Sequence, residues 1–150
     1  KLTNTVPGKL INSIKAGNLR ISPSICYEIA FPELIRKTAS ESNLLVTISN
    51  DTWFGSSYGP IQHLEIAQNR ALEHKKAILR STNSGISAFI SNNGKILEKQ
   101  GYFEDQMLKR QVNLYEGKTF YAKYGNLPLY LILSVIFIII LILKRKKEID

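Results

Sequence analysis

The sequence predicts an α/β domain that ends in one membrane-spanning helix. Three observations predict it. Short apolar runs alternate with segments of helical period along the first two thirds of the chain. An uncharged apolar stretch occupies residues 127–143, and Lys144, Arg145, Lys146 and Lys147 close it abruptly.

The elements follow in order. Residues 19–27 alternate partly and read as a strand ending in Ser24-Ile25-Cys26-Tyr27. Phe31-Pro32-Glu33 opens a helix, because proline suits a first turn and a carboxylate suits the positive end of the helix dipole. Leu34, Ile35, Thr38 and Ala39 share its apolar face, and it is expected to end near Ser42-Asn43. Residues 44–49 form an apolar run of strand length, suited to a sheet buried on both faces. A polar loop then leads to Pro60, where a second helix begins and runs to about Lys76. Ile61, Leu64, Ala67 and Ala71 recur on one of its faces. Residues 77–81 and 86–91 read as strands, Asn92-Asn93-Gly94-Lys95 as a hairpin turn, residues 96–100 as its return, and residues 108–114 as a last strand. Strand, helix, strand, helix and further strands fit the crossover rules of layered α/β domains.

At about 1.5 Å per residue, residues 127–143 make roughly 26 Å of helix, the short end of a bilayer crossing. Residues 121–126 form an interfacial linker, where Tyr121 and Tyr124, with Tyr130, make an aromatic belt. Pro128 falls in a first turn. A core helix would show a polar face, and this run has only Ser134. With a single crossing, the positive-inside rule places residues 144–150 in the cytoplasm and residues 1–120 on the opposite side. Residues 1–20 lack the apolar core of a signal peptide, and the chain starts at Lys1, as a fragment or processed product would.

The net charge of +8 invites a nucleic-acid partner. Four of the basic residues flank the apolar run, and the others are scattered with no interleaved aromatics, so no nucleic-acid partner is expected. Cys26 is the one cysteine, which excludes an intramolecular disulfide and a cysteine zinc cluster. Such a thiol is either a small buried hydrophobe or a reactive group. Its place at a strand end just before a helix presents a nucleophile on a sharp turn, aimed at a helix N-terminus that favours thiolate or oxyanion. Thiol catalysis also needs a base. Glu28, Glu33, His63 and His74 are candidates that spacing does not separate.

Four ordered motifs narrow this reading. They are Ile25-Cys26-Tyr27-Glu28 with Phe31-Pro32-Glu33; Ser49-Asn50-Asp51-Thr52-Trp53-Phe54-Gly55; Gly59-Pro60 with Gln62-His63, Arg70-Ala71 and Glu73; and Arg80-Ser81-Thr82-Asn83-Ser84-Gly85-Ile86-Ser87. Together they resemble the nitrilase (carbon-nitrogen hydrolase) superfamily, and within it the apolipoprotein N-acyltransferase branch. The resemblance implies a partial nitrilase-like αββα sandwich over residues 1–120, followed by one C-terminal transmembrane helix. It implies a Glu–Lys–Cys triad with Cys26 as nucleophile. The Glu and Lys lie well upstream of the cysteine in the family; neither is recognisable in residues 1–25, where Lys9 and Lys15 stand too close.

The implied activity is transfer of a fatty acyl group from a membrane phospholipid, through a Cys26 thioester, to the N-terminal diacylglyceryl-cysteine of an apolipoprotein, with no metal or organic cofactor. The implied location is a bacterial inner membrane, with the catalytic part periplasmic. The alternatives are a nitrilase-type amidase using the same thiol, and an inactive membrane-anchored fragment lacking the triad Glu and Lys.

By the same resemblance Tyr27, Glu28 and Asn83 support the active site; the plainer alternatives are a packed strand residue, a surface carboxylate and a turn former. Trp53 and Phe54 line a lipid pocket or anchor their loop. Asn50 and Asp51 orient active-site groups or form an Asx turn. The family uses Glu as base, which leaves His63 a weak candidate for that role. Arg70 and Glu73 read as a structural ion pair, and Gly85 as a close backbone approach.

Overall fold

The computed structural model describes residues 13–102, 104 and 107–147. Its strands lie in chain order in one 6-stranded sheet: β1 (Ile14–Ala16), β2 (Leu19–Ile25), β3 (Leu44–Ser49), β4 (Ile78–Thr82), β5 (Ala88–Ile90) and β6 (Ile96–Lys99). β2, β3 and β4 are parallel, while β1 and the β5–β6 hairpin join antiparallel. Parallel neighbours require crossovers, and α1 (Pro32–Ala39) and α2 (Gly59–His74) supply them. β1 escaped the sequence reading; it pairs with β2 across a tight Gly17-Asn18 turn, with Gly17 at φ +58°. Both helices stop short of the expected ends. The chain after α1 turns because Ser42 Oγ donates to Ala39 O and Asn43 binds the Arg20 N–H and Asn18 O.

Both helices cover one face of the sheet. Ser22, Leu45 and Ile78 lie in register on that face, and Ser22 Oγ donates to Thr38 Oγ1 of α1 at 2.5 Å. Ile35 and Ala39 of α1 and Leu64, Ala67 and Ala71 of α2 pack there with Leu45, Ile78, Ala88 and Ile90. Burial of each large aliphatic side chain contributes about 1.5–3 kcal/mol. The opposite face differs from the expectation that β3 would be buried on both sides. Val46 and Leu79 are half-buried, while Ile25 and Ile48 are 68 % and 60 % exposed. No second layer covers this face among the described residues.

The last strand expected at residues 108–114 does not form. The segment after β6 leaves the sheet instead. Arg110 pairs with Glu98 of β6 at 3.7 Å, and Glu116 reaches Arg20 and Asn43 near the start of β2 and β3. Residues 111–116 therefore pass the strands' beginnings rather than adding to the ladder. Lys76 Nζ donates to Gly117 O at 3.1 Å, and Thr119 Oγ1 donates to Glu73 O at 2.6 Å. Thr119 Oγ1 also accepts from the Ala122 N–H, capping the short α3 (Phe120–Tyr124). Arg36 of α1 donates to Ala122 O. The chain then enters α4 (Leu127–Lys147), whose apolar side chains are about half exposed. Among the described residues it is the one helix long and apolar enough to cross a membrane.

His74, at the end of α2, is 2 % exposed, and neither ring nitrogen has a hydrogen-bond partner among the described residues. Its ring lies 6.0 Å from that of Tyr121. Burial first, then the charges of Lys76, Arg70 and Arg36, push its pKa down to about 4. An unfolded histidine gains its proton near pH 6.5. The neutral, buried His74 thus contributes stability that is complete above about pH 6.5 and lost as pH falls towards 4. Thermal unfolding of the protein and of His74→Phe across this window checks the sign. The wild-type melting temperature should fall more steeply with acidification than that of the variant; equal slopes would remove His74 as the cause.

Candidate active site

The site forms at the carboxyl ends of the parallel strands, where open α/β sheets place their ligands. β2 ends at Ile25, and Cys26 opens a 3-10 turn over Cys26–Ala30 with φ +53°. That region is uncommon for a residue with a Cβ and persists where the surroundings over-determine it. Glu28 supplies one restraint: its Oε2 accepts the Ile25 N–H at 2.7 Å. The Phe31 N–H closes the turn on Glu28 O at 3.0 Å. The Cys26 thiol is free and half-buried. The expected strand-to-helix junction is corrected here. α1 begins only at Pro32, and the 3-10 turn over Cys26–Ala30 stands between Cys26 and the helix N-terminus.

Beneath the turn lies a buried polar cluster built from three of the sequence motifs. Asp51, 2 % exposed, opens the 3-10 turn over Asp51–Phe54 that follows β3. Its Oδ1 accepts from Ser49 Oγ at 2.5 Å, and its Oδ2 accepts from Arg80 Nη2 at 2.6 Å. His63 of α2, 1 % exposed, places Nδ1 3.1 Å from Asp51 Oδ1 and Nε2 3.2 Å from the backbone O of Cys26. Arg80 also donates from Nε to Ile86 O at 3.2 Å. Burial, and next the Arg80 charge, lower the His63 pKa, against the pull of Asp51 and of the Cys26 carbonyl. Burial likewise lowers that of Arg80, opposed by Asp51; a guanidinium stays charged regardless.

The sequence-nominated residues divide. Glu28 is exposed and serves the turn's own backbone. Tyr27 is 54 % exposed, with its ring 6.0 Å from those of Phe31 and His63. Trp53 and Phe54 part company: Trp53 is 88 % exposed, whereas Phe54 is half-buried with its ring 5.8 Å from that of His63. Asn50 makes the Asx turn, accepting the Thr52 N–H at 3.1 Å, while Asp51 organises the cluster. Asn83 is exposed and donates its N–H to Ser49 O, linking the ends of β4 and β3. It also lines a cleft of about 740 Å³ along β4 and β5, whose walls include none of Cys26, Tyr27, Glu28, Trp53 and Phe54. Arg70 and Glu73 form the expected ion pair at 2.5 Å. Arg80 stands in the fourth motif, but the sequence reading gave it no role in the site. An arginine inside the apolar run of a central strand was its available signal, since a buried charge requires a partner. No cluster of three or more His, Cys, Asp or Glu suited to a metal occurs among the described residues.

A mixed-sheet α/β domain with a free thiol on a strained turn at its strand ends defines the class, and the comparisons agree. Residues 5–120 match the family described as Carbon-nitrogen hydrolase, and the chain belongs to that family. Apolipoprotein N-acyltransferases are among its relatives. That of Photobacterium profundum is 45 % identical over 79 % of this chain and 23 % of its own length; that of Vibrio parahaemolyticus is 40 % identical over 91 % of this chain and 27 % of its own. The chain thus spans about a quarter of the length of the relatives it matches. Among solved structures, a branch 10 member of the nitrilase superfamily from Saccharomyces cerevisiae superposes with a TM-score of 0.59 at 22 % identity, covering 67 % of this chain and 40 % of that one. A carbon-nitrogen hydrolase from Helicobacter pylori gives 0.60 at 15 % identity, over 67 % and 43 %. These two establish the nitrilase-like fold.

Gly85 tests the cluster's packing. A Cβ at Gly85 would overlap the Asp51 carboxylate. Gly85→Ala is expected to destabilise the protein by about 1–3 kcal/mol, the usual cost of overpacking, in chemical denaturation. An unchanged midpoint would contradict the tight fit.

Proposed function

We propose that this chain is the C-terminal part of an apolipoprotein N-acyltransferase. The observation that carries the reading is Cys26 on its left-handed turn above the buried Asp51–His63–Arg80 cluster. The identity to relatives bearing that name supports it. In the first half-reaction the Cys26 thiolate attacks the ester carbonyl carbon of a phospholipid. The ester C–O bond breaks, the glycerol oxygen leaves with a proton, and the acyl group rests on sulfur. In the second, the α-amine of a diacylglyceryl-cysteine attacks the thioester carbonyl. The C–S bond breaks, an amide forms, and the amine proton passes to a base. A thioester splits one difficult transfer into two easier ones. His63 and Asp51 turn towards backbone and each other. We therefore assign the base, with the triad Glu and Lys, to the rest of the full-length protein.

Residues 1–120 form part of the catalytic domain on the periplasmic side of a bacterial inner membrane. Residues 121–126 lie at the interface, residues 127–143 span, and residues 144–150 are cytoplasmic. Tyr27 and Phe31 are exposed at the nucleophile turn and Trp53 on the turn after β3, and such aromatics suit a lipid substrate arriving from the outer leaflet. The open sheet face with Ile25 and Ile48 receives the second layer of the αββα sandwich, supplied by the remaining length of the parent protein. An amidase of the same family needs no lipid access, and the apolar α4 favours the membrane-bound reading.

Mass spectrometry of the full-length protein with phospholipid vesicles tests the chemistry. The Cys26 peptide should gain one fatty acyl mass, removable by hydroxylamine, and Cys26→Ala should lose all transfer to a diacylglyceryl-cysteine peptide. Transfer that survives in Cys26→Ala would end the assignment. The topology has its own check. With Cys26→Ala in the background, Lys146→Cys in sealed inverted membranes should react with an impermeant maleimide, and in intact spheroplasts it should not; the reverse pattern would place the tail outside.

A further inference from the structure

We propose that His63 is a positioning residue for the nucleophile. Its Nε2–H, with the ring held by Asp51, fixes the Cys26 carbonyl and so the left-handed backbone that presents the sulfur. The inference rests on Cys26 being the nucleophile, and it concerns a residue that does not itself touch the reacting atoms.

The geometry carries it. A carbonyl oxygen only accepts, so the 3.2 Å contact from His63 Nε2 to Cys26 O is attractive only when Nε2 bears the proton. The other ring nitrogen faces Asp51 Oδ1, a carboxylate oxygen that likewise only accepts, so the two contacts hold together in a ring protonated at both nitrogens and paired with that carboxylate; Oδ1 is anchored in turn by Ser49 Oγ, while Oδ2 binds Arg80. The ring therefore has little freedom to turn away, and at 1 % exposure it is shielded from bulk solvent. A left-handed backbone at a residue with a Cβ is strained to about the extent that one hydrogen bond to a buried donor relieves. Cys26 is one of the two non-glycine residues with positive φ among the described residues. The other, Lys75, sits at the end of α2, where that conformation is a common helix ending. Cys26 has no such reason, and the hydrogen bond from His63 supplies one.

The alternative is that His63 merely fills space between the rings of Tyr27 and Phe54, 6.0 and 5.8 Å away. Two variants of the full-length protein separate the readings. His63→Phe keeps a ring and removes the donor; His63→Gln removes the ring and keeps an amide N–H able to reach the carbonyl. The readout is single-turnover acylation of Cys26 from phospholipid vesicles, as rate and half-saturating lipid. His63→Phe should slow acylation by about 100-fold with half-saturation unchanged, the scale of a reacting atom misplaced by about 1 Å, and His63→Gln by less than about 10-fold. The reverse order, with Phe faster than Gln, overturns the proposal.

A measurement on the wild-type protein decides the point where neither variant folds. With [1-13C]cysteine and ring-15N histidine, dipolar-filtered solid-state NMR selects the histidine nitrogen beside a cysteine carbonyl. A protonated nitrogen there supports the proposal; an unprotonated nitrogen, or no coupled pair, overturns it. Should wild-type Cys26 take no acyl group, the acyltransferase reading fails by itself, and the NMR result still decides the role of His63.

Discussion

A single buried carboxylate holds the site together. Asp51 is sealed from solvent, and a charge so placed costs several kcal/mol unless it is paired and hydrogen-bonded. Here Ser49, Arg80 and His63 surround it. Those partners come from the end of β3, from β4 and from α2, so satisfying one carboxylate fixes the relative positions of three elements. Through His63 the same network reaches the Cys26 carbonyl at the end of β2. Gly85 follows from the constraint, because a side chain there would occupy the carboxylate's space.

Such a cluster explains why the chemistry sits where it does. Parallel strands end side by side, and their loops converge on one edge of the sheet. The helices on one face bury the apolar residues, leaving the strand ends as the place where polar groups meet. The outer shell differs in character: Tyr27 and Phe31 are exposed aromatics on the thiol's own turn, and Trp53 is exposed on the turn after β3. Residues 111–119 pass the strand beginnings, and hydrogen bonds of Arg36, Lys76 and Thr119 tie the chain before α4 to α1 and α2. The apolar α4 is thus joined to the domain by hydrogen bonds to both helices.

Much of this was legible in the residue order. Ile61, Leu64, Ala67 and Ala71 declared the buried face of α2, Gly94 the hairpin turn, and residues 127–143 a long apolar helix. Cys26 could be placed at a strand end from its neighbours alone. Other features are properties of three-dimensional pairing. Asp51, His63 and Arg80 lie on three different elements, and the sequence pattern shows each of them without showing that they meet. β1 was missed because Ile14–Ala16 is too short to show alternation. Residues 108–114 alternate as a strand does, yet Glu116 draws them across the sheet to Arg20 and Asn43. The exposed Ile25 and Ile48 show the same limit: an apolar strand records that both faces are to be covered, not which stretch of chain covers them.

The claim that one buried ion pair organises the site is tested most directly by a double-mutant cycle between Asp51→Asn and Arg80→Met, measured as unfolding free energy of the full-length protein. Removing either partner alone should cost about 3–5 kcal/mol, because the other is left buried and uncompensated. The double variant should cost less than the sum, with a coupling of about 0.5–3 kcal/mol. Strictly additive losses would show that Asp51 and Arg80 act independently, and the account of the site built on their pairing would be wrong.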